Sequence, residues 1–431
     1  MNSSLFCQRI DNIIRFLLYG VIFWIPYSPA IVETCIVFSI FLWILKRFTL
    51  FFSSGLTKKN GREKLSLFLK SFKVQHTYLN GAIGYFILAC GFSLLATWFF
   101  PQAIRGFFYK TLEWFVVYFL VVEVFQKPKH VFVALGVLSF TAFSSCLDAF
   151  YQYHFSGKDI FFGHLLNGGG ATAGFKHYNN FGGFLTFVVP LFLSWVLIFR
   201  RSRYFLLAVL MFALSLWAAV ITLSRETWVG IFIGILMFLF ILDKKKILYV
   251  CLGVFFGMVA LYLFSDTDTQ EKLRIDFHHV QGTFLGRAEL WKESCAMIKD
   301  RPLFGHGPNV FMGVFQAYRL NVNEAPTYAH NCYIQITAEL GFVGLGCFLW
   351  MMFISLKKPF LTLRTAAFNH DMWPYVTLAL MSGMLAFLIH SFFDTDFYSL
   401  QLSIYFWYMA GLLSVSDTLL NKSQARDISL A

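Results

Sequence analysis

A histidine and an asparagine stand side by side where a polar, proline-containing stretch becomes apolar, in NEAPTYAHNCYIQ at 323–335. Histidine is the side chain that changes charge near neutral pH. Placed at a helix start with arginines nearby, His330 is suited to act as a general base. The alternative is that Asn331 simply caps the helix and His330 is a solvated residue beside it.

A second candidate is Arg225 in ITLSRETWVGIFIGI at 221–235, where Arg225 and Glu226 separate two apolar runs. Charges this close to apolar runs are costly and normally need a partner or a ligand. A guanidinium binds phosphate oxygens in a bidentate manner, which Lys cannot do. The alternative is a salt bridge, either between these two residues or to another loop.

A third polar cluster precedes another apolar run, in GGGATAGFKHYNN at 168–180. Lys176 and His177 are candidate ligands of an anion, because helix N-termini that converge attract negative charge. In the alternative, Asn179 or Asn180 caps the helix and Lys176 extends toward the membrane surface.

Two acidic residues, Asp394 and Asp396, lie in HSFFDTDFY at 390–398, between the last two apolar runs. A carboxylate there is able to orient His330 or an arginine. The alternative is that both are solvated loop residues.

The elements that position these residues follow from composition. The chain has 431 residues, of which 58% are hydrophobic and 13% charged, against about 25% charged in soluble domains. Apolar runs of about 17 to 25 residues recur and match the thickness of a membrane. They predict an all-α, polytopic helical bundle with about 12 transmembrane helices, near 13–27, 29–50, 79–99, 109–126, 131–152, 180–199, 204–222, 228–242, 247–264, 333–356, 373–391 and 397–417.

Basic residues set the orientation and explain the net charge of +12. Most lie beside helix ends, where anionic lipid headgroups rather than nucleic acid are the expected neighbours. They collect on one face, which predicts cytoplasmic termini and an opposite face that carries the polar clusters. We expect a transmembrane unit at 1–264 with a basic interfacial helix at 62–75, a long loop at 265–332, and C-terminal transmembrane helices at 333–431.

The long loop is predicted to contain two helices. The first, 285–300, has Leu290, Trp291, Cys295 and Ile298 on one face, and a second short helix covers 309–320. Between them, the glycines of PLFGHGPNVF at 302–311 mark a tight turn that is weak evidence for phosphate binding.

The eight cysteines show no metal-ligand spacing, so neither a metal nor a cofactor is expected. Cys295 and Cys332 both lie on the predicted oxidising side. Whether they pair is open at this stage, because a sequence does not give their separation.

Four segments together resemble the O-antigen ligase/polymerase superfamily of bacterial envelope glycosyltransferases: SRETW, GRAELW, PLFGHGPNVF and AHNCYIQITAELGFVGL. The likeness covers roughly residues 165–415, and the last segment is its most specific part. It implies a bundle related to the GT-C glycosyltransferases, with a periplasmic site that receives a polyprenyl-linked sugar from the membrane.

The resemblance also implies roles. His330 matches the essential histidine of the family, Arg225 the arginine of its Ser-Arg motif, and Arg287 the arginine of its long loop. His330 is then the catalytic base, and the arginines bind the pyrophosphate with Lys176 and His177. Asn331 and Asp394 are supporting residues. Glu226 is a departure, because many relatives have glycine there.

Three activities compete within the superfamily. A ligase in the inner membrane transfers O-antigen polysaccharide from undecaprenyl diphosphate to the lipid A core, a polymerase joins repeat units, and a protein O-oligosaccharyltransferase modifies Ser or Thr. The single dominant loop favours the ligase. A lipid-linked sugar transporter is the alternative outside the enzymes, but its ionisable residues belong near the bilayer midplane.

Overall fold

A computed structural model of the chain describes residues 3–54, 60–248, 286–319, 327–368 and 371–430. Regular structure in these ranges is helical, apart from two isolated β-bridges between residues 158 and 170. The predicted all-α class is therefore confirmed. The main helices are α1 Ser3–Trp24, α2 Pro29–Phe52, α3 Gly61–Ser71, α4 Asn80–Ala96, α5 Phe100–Gly106, α6 Leu112–Val124, α7 Pro128–Tyr151, α8 Tyr178–Ile198, α9 Phe205–Ile221, α10 Arg225–Leu242, α11 286–300, α12 Phe311–Phe315, α13 Cys332–Arg364, α14 Trp373–His390 and α15 Leu400–Leu430.

Within the described residues, 6 helices are long and apolar enough to cross a membrane. These are α2, α7 with its π-helical extension to Ser156, α8, α10, α13 and α14, and α4 and α9 are shorter apolar helices. A helix lies over every predicted span except 247–264, of which only residues 247 and 248 are described. The chain is an integral membrane protein of helical type.

The centre of the bundle is formed by α8, α14 and α15, whose side chains are mostly buried. Helix α10 packs closely on α14, because Gly230 has no side chain: a Cβ there would lie 2.6 Å from the carbonyl oxygen of Ala386. Small residues permit this close approach between membrane helices. The contact places the beginning of α10 beside the end of α14.

Helix α13 is broken at Gly341, which has a left-handed φ of 69°. The break leaves backbone groups on both sides without partners in the helix. The turn at 302–307 supplies those partners through four backbone hydrogen bonds: Phe342 N to Pro302 O (2.8 Å), Val343 N to Leu303 O (3.3 Å), His306 N to Ala338 O (3.1 Å) and Gly307 N to Glu339 O (2.9 Å). The glycine-rich turn thus has a structural role, and two of its N–H groups are occupied by α13.

The helix expected at 62–75 is observed as α3. Its N-cap is Asn60, whose side chain accepts from Glu63 N at 2.9 Å. Phe68 packs against α2, while Leu65 and Leu69 are exposed. An exposed apolar face on a basic helix is typical of the membrane interface, so that location stays a prediction.

Lys46 and Arg47 are exceptions to the expectation that most basic residues beside helix ends have lipid headgroups as neighbours. Both are buried at the end of α2. The Nζ of Lys46 lies 2.6 Å from Asp11 and 2.8 Å from Glu123, and Arg47 also pairs with Glu123. Acidic residues on α1 and α6 therefore balance these charges inside the bundle.

Replacing Gly341 should destabilise the protein. Gly341→Ala must keep a positive φ and would place a Cβ 2.1 Å from the carbonyl oxygen of Leu303. We expect a loss of more than about 1 kcal/mol, measured as a lower thermal midpoint in detergent. Gly346→Ala is the matched control, since it lies in the same helix with open space around it. Equal midpoints for the two variants would contradict the role of the break.

Candidate active site

His330 lies directly before α13, at the end of the bundle where α8, α10 and α13 begin. Its φ is 48°, in the left-handed region that is uncommon for residues other than glycine. The next residue, Asn331, is the N-cap: its side-chain oxygen accepts from Tyr333 N at 2.9 Å and from Ile334 N at 3.0 Å. Capping by Asn331 is therefore observed. It fixes where α13 begins and so fixes the position of His330, the residue before the cap.

The predicted partnership between Asp394 and His330 is present. His330 Nδ1 lies 3.3 Å from Asp394 Oδ1, and 40% of the His330 side chain is exposed. The other carboxylate oxygen accepts from Asn179 Nδ2 at 2.8 Å. A carboxylate on Nδ1 holds the proton there, so that Nε2 is the atom free to take a proton from a substrate.

Asp394 is ionised despite its burial. Burial alone would raise the pKa of this carboxyl, but the hydrogen bond with His330 and the positive charges of His390 and His330 hold the pKa below its usual range. The backbone N–H of Thr395 also donates to it at 2.8 Å. Asp394 is thus a fixed negative charge for His330 at all pH values near neutral.

The peptide before His330 is held on both sides. Ala329 N donates to Gln335 Oε1 at 3.3 Å, and Trp291 Nε1 donates to Ala329 O at 3.0 Å. Trp291 belongs to α11, so the long loop touches the segment that presents the histidine. Sequence reasoning placed Trp291 only on a packing face and missed Gln335, because neither hydrogen bond has a local signal.

Arg287, in the first turn of α11, is bound to α10. Its Nη2 lies 3.1 Å from Glu226 Oε1, and both side chains are largely buried. The interloop salt bridge considered for Glu226 is therefore present, with Arg287 as the partner. A guanidinium has five N–H donors, and this contact leaves others to bind a ligand.

Arg225 is the first residue of α10, after the N-cap Ser224. It is partly exposed. Within the described ranges, no carboxylate lies at ion-pair distance from it. Its charge acts on Tyr178 together with those of Glu226, Arg287 and Asp394, so these groups share one neighbourhood.

His177 is the N-cap of α8, so the alternative in which Asn179 or Asn180 caps this helix is not what the structure shows. Its Nδ1 accepts from Asn179 N at 3.2 Å. Burial lowers the pKa of His177, and the nearby charges include those of Asp394, His330, Glu226 and Arg287. His177 is therefore a neutral donor through Nε2 at pH 7. Lys176 is exposed, and in the described structure no contact joins it to the other candidates.

Cys295 and Cys332 are both free, which answers the open question of their pairing. Cys332 is buried, and its Sγ donates to Asp394 O at 3.2 Å. Cys295 is exposed, whereas the predicted face of α11 contained it. The buried side of α11 instead includes Ser294 and Met297.

Three helix N-termini, each with a side-chain cap, thus meet around a His–Asp pair. The caps are His177 for α8, Ser224 for α10 and Asn331 for α13. Arg225 and Arg287 lie in the same neighbourhood, which also contains the carboxylates of Glu226 and Asp394. Helix N-termini and guanidinium groups both favour a bound anion. Such an arrangement is suited to remove a proton from a hydroxyl while it stabilises an anionic leaving group.

Fold and site therefore define a helical integral membrane protein in which a His–Asp pair lies near two arginines. Residues 210–349 match the family model described as O-antigen ligase. The matched segment includes Arg225, Arg287 and His330, and it supports the resemblance to the O-antigen ligase/polymerase superfamily drawn from the motifs. A search of curated proteins finds no match.

The ionisation of Asp394 predicts a pH dependence of stability. Because its pKa is depressed in the folded protein, its stabilising contribution is present above the ordinary value near 4 and is lost only as the pH falls through the depressed value. Asp394→Asn should therefore lower the thermal midpoint at pH 7, by an amount that does not shrink at pH 5. Glu289→Gln, an exposed change on α11, is the control. If the difference in thermal midpoint between the wild type and Asp394→Asn is smaller at pH 5 than at pH 7, the assignment of Asp394 as ionised is contradicted.

Proposed function

We propose that the protein transfers O-antigen polysaccharide from undecaprenyl diphosphate to a sugar of the lipid A core, on the periplasmic face of the inner membrane. The observation that carries the proposal is the His330–Asp394 pair, whose histidine side chain is 40% exposed in the same neighbourhood as Arg225 and Arg287. The match to the O-antigen ligase family supports it, because that segment holds all three basic residues.

The proposed reaction breaks one bond and forms one. A hydroxyl oxygen of the acceptor attacks the anomeric carbon of the glycan, and its proton moves to Nε2 of His330. The bond from that carbon to the diphosphate oxygen breaks, and the electron pair leaves with undecaprenyl diphosphate. Asp394 stabilises the imidazolium as it forms, since it holds the proton on Nδ1.

The arginines act on the leaving group. Negative charge grows on the diphosphate as the bond breaks, and preorganised cations stabilise that charge most in a site with little water. Glu226 positions Arg287 through the 3.1 Å contact. His177 offers a neutral N–H, and Lys176 lies at the exposed edge. In this proposal the site works without a metal ion or cofactor.

The arrangement in the membrane belongs to the same proposal. The proposed topology has twelve spans, related to those of GT-C enzymes, and both termini are cytoplasmic. The beginnings of α8, α10 and α13 then lie at the periplasmic surface. The proposed units are 1–264, 265–332 and 333–431. Hydrogen bonds from α11 to the site support a covering role for the long loop.

Replacing His330 tests the base. With purified protein, undecaprenyl diphosphate-linked glycan and lipid A core, His330→Ala should reduce transfer by at least about 100-fold. Added EDTA should leave the wild-type rate unchanged. Loss of the wild-type rate in EDTA would refute the metal-free proposal. Full activity of His330→Ala would exclude His330 as the catalytic base.

The acceptor decides between the members of the superfamily. Elongation of the glycan by the wild type without lipid A core would make the protein a polymerase, and transfer to Ser or Thr a protein O-oligosaccharyltransferase. Absence of transfer to every acceptor by folded protein would favour a lipid-linked sugar transporter.

Replacing Arg287 tests leaving-group stabilisation. Arg287→Ala should lower kcat by about 10- to 1000-fold, because one charge that faces the diphosphate is lost. Lys292→Ala is the matched control, since it removes an exposed cation from the same helix. Glu226→Gln should give a smaller loss than Arg287→Ala. Equal rates for Arg287→Ala and Lys292→Ala would exclude the role.

A further inference from the structure

A second histidine–carboxylate pair lies beneath the site, where substrate has no access. His390, the last residue of α14, places Nδ1 2.7 Å from Asp396 Oδ2. The hydroxyl of Ser391 donates to the same oxygen at 2.7 Å. His390 is 0% exposed and Asp396 2% exposed. The motif HSFFDTDFY contains the whole pair, but its spacing gave no sign that each acid has its own histidine.

The pair is connected to the site through the backbone. Ser391 O accepts from Cys332 N at 3.0 Å, and the Cys332 thiol donates to Asp394 O at 3.2 Å. The turn that carries both acids is thus bound to the first residue of α13. Displacement of Asp396 would move Asp394, because only one residue separates them.

The charges around the pair are mostly acidic. Glu226 of α10 and Asp394 of the turn act on His390, in addition to its partner Asp396. The backbone of α10 is close as well, because a Cβ on Gly230 would lie 3.6 Å from His390 N. Arg287 is bound to Glu226, and His330 is bound to Asp394. A positive charge on His390 therefore sits next to both carboxylates that hold the proposed catalytic groups.

A buried ion pair generally gives less stability than apolar side chains of the same size. Nε2 of His390 has no hydrogen-bond partner among the described residues, which adds to the cost. The pair therefore has no adequate explanation as a stabilising contact. Its position next to the ionised Asp394 indicates a role in the site.

We propose that His390 and Asp396 are positioning residues for the transfer reaction: they hold Asp394 in the place and the charge state that the base His330 requires. This inference rests on the proposed function. The positive charge of His390 is among the causes that keep the pKa of Asp394 low.

Two substitutions of opposite charge separate this role from a structural one. His390→Gln removes a positive charge and leaves Asp396 negative, so His330 should hold its proton more tightly and titrate at a higher pH. Asp396→Asn removes the negative charge and leaves His390 positive, so His330 should titrate at a lower pH. A purely structural role predicts loss of stability in both variants without this difference in sign.

The titration of His330 can be followed without any activity. Diethyl pyrocarbonate acylates neutral imidazole, and peptide mass spectrometry measures the rate at His330 as a function of pH. The exposed His76 in the same sample is the internal reference. We expect the midpoint for His330 to rise by about half a pH unit or more in His390→Gln. The acidic limb of the pH dependence of the transfer rate should shift in the same direction.

Each outcome decides the inference. An unchanged His330 midpoint in folded His390→Gln overturns it, whatever the thermal stability. If His390→Gln does not fold, Asp396→Asn is decisive: a lowered His330 midpoint with a reduced transfer rate supports the role, and an unchanged or raised midpoint overturns it. If the wild type has no transferase activity, the proposed function is refuted. The labelling then still tests whether His390 affects the titration of His330.

Discussion

The site depends on a carboxylate that stays ionised inside an apolar bundle. Removal of a charge from water costs several kcal/mol unless hydrogen bonds and opposite charges replace the water. Asp394 receives donors from Asn179 on α8, from the backbone of Thr395 and from His330. Three parts of the chain must therefore be in place before this charge is tolerated, and the same contacts align the imidazole.

A second constraint is the polar backbone at the ends of membrane helices. The first N–H groups of α8, α10 and α13 have no partner within their helices, and a capping side chain compensates each of them in part. Capping side chains are short and polar, so they place polar groups at the same end of the bundle. The cluster of candidate residues follows from this requirement as much as from catalysis.

Sequence alone predicted the helical class, His330 with its capping neighbour, and Asp394 as its support. These residues lie at boundaries between polar and apolar stretches, where a local pattern carries the signal. The salt bridge from Arg287 to Glu226 joins residues far apart in the chain, and the sequence offered it only as one alternative. The cap of α8 is local, since His177 accepts from Asn179 N two residues on, but the sequence pattern favoured the asparagines. Docking of α11 on the bundle leaves Cys295 exposed.

Helix α11 shows how a loop becomes part of a membrane site. It contacts the bundle at two functional points: Arg287 binds Glu226, and Trp291 holds the peptide before His330. The two contacts lie one helical turn apart, so a rigid helix makes both or neither. In the proposed reaction, docking of this helix would add a cation for the leaving group and fix the base in the same step. Glycine at position 226 would lack the carboxylate that binds Arg287, so in this chain the glutamate couples α11 to α10.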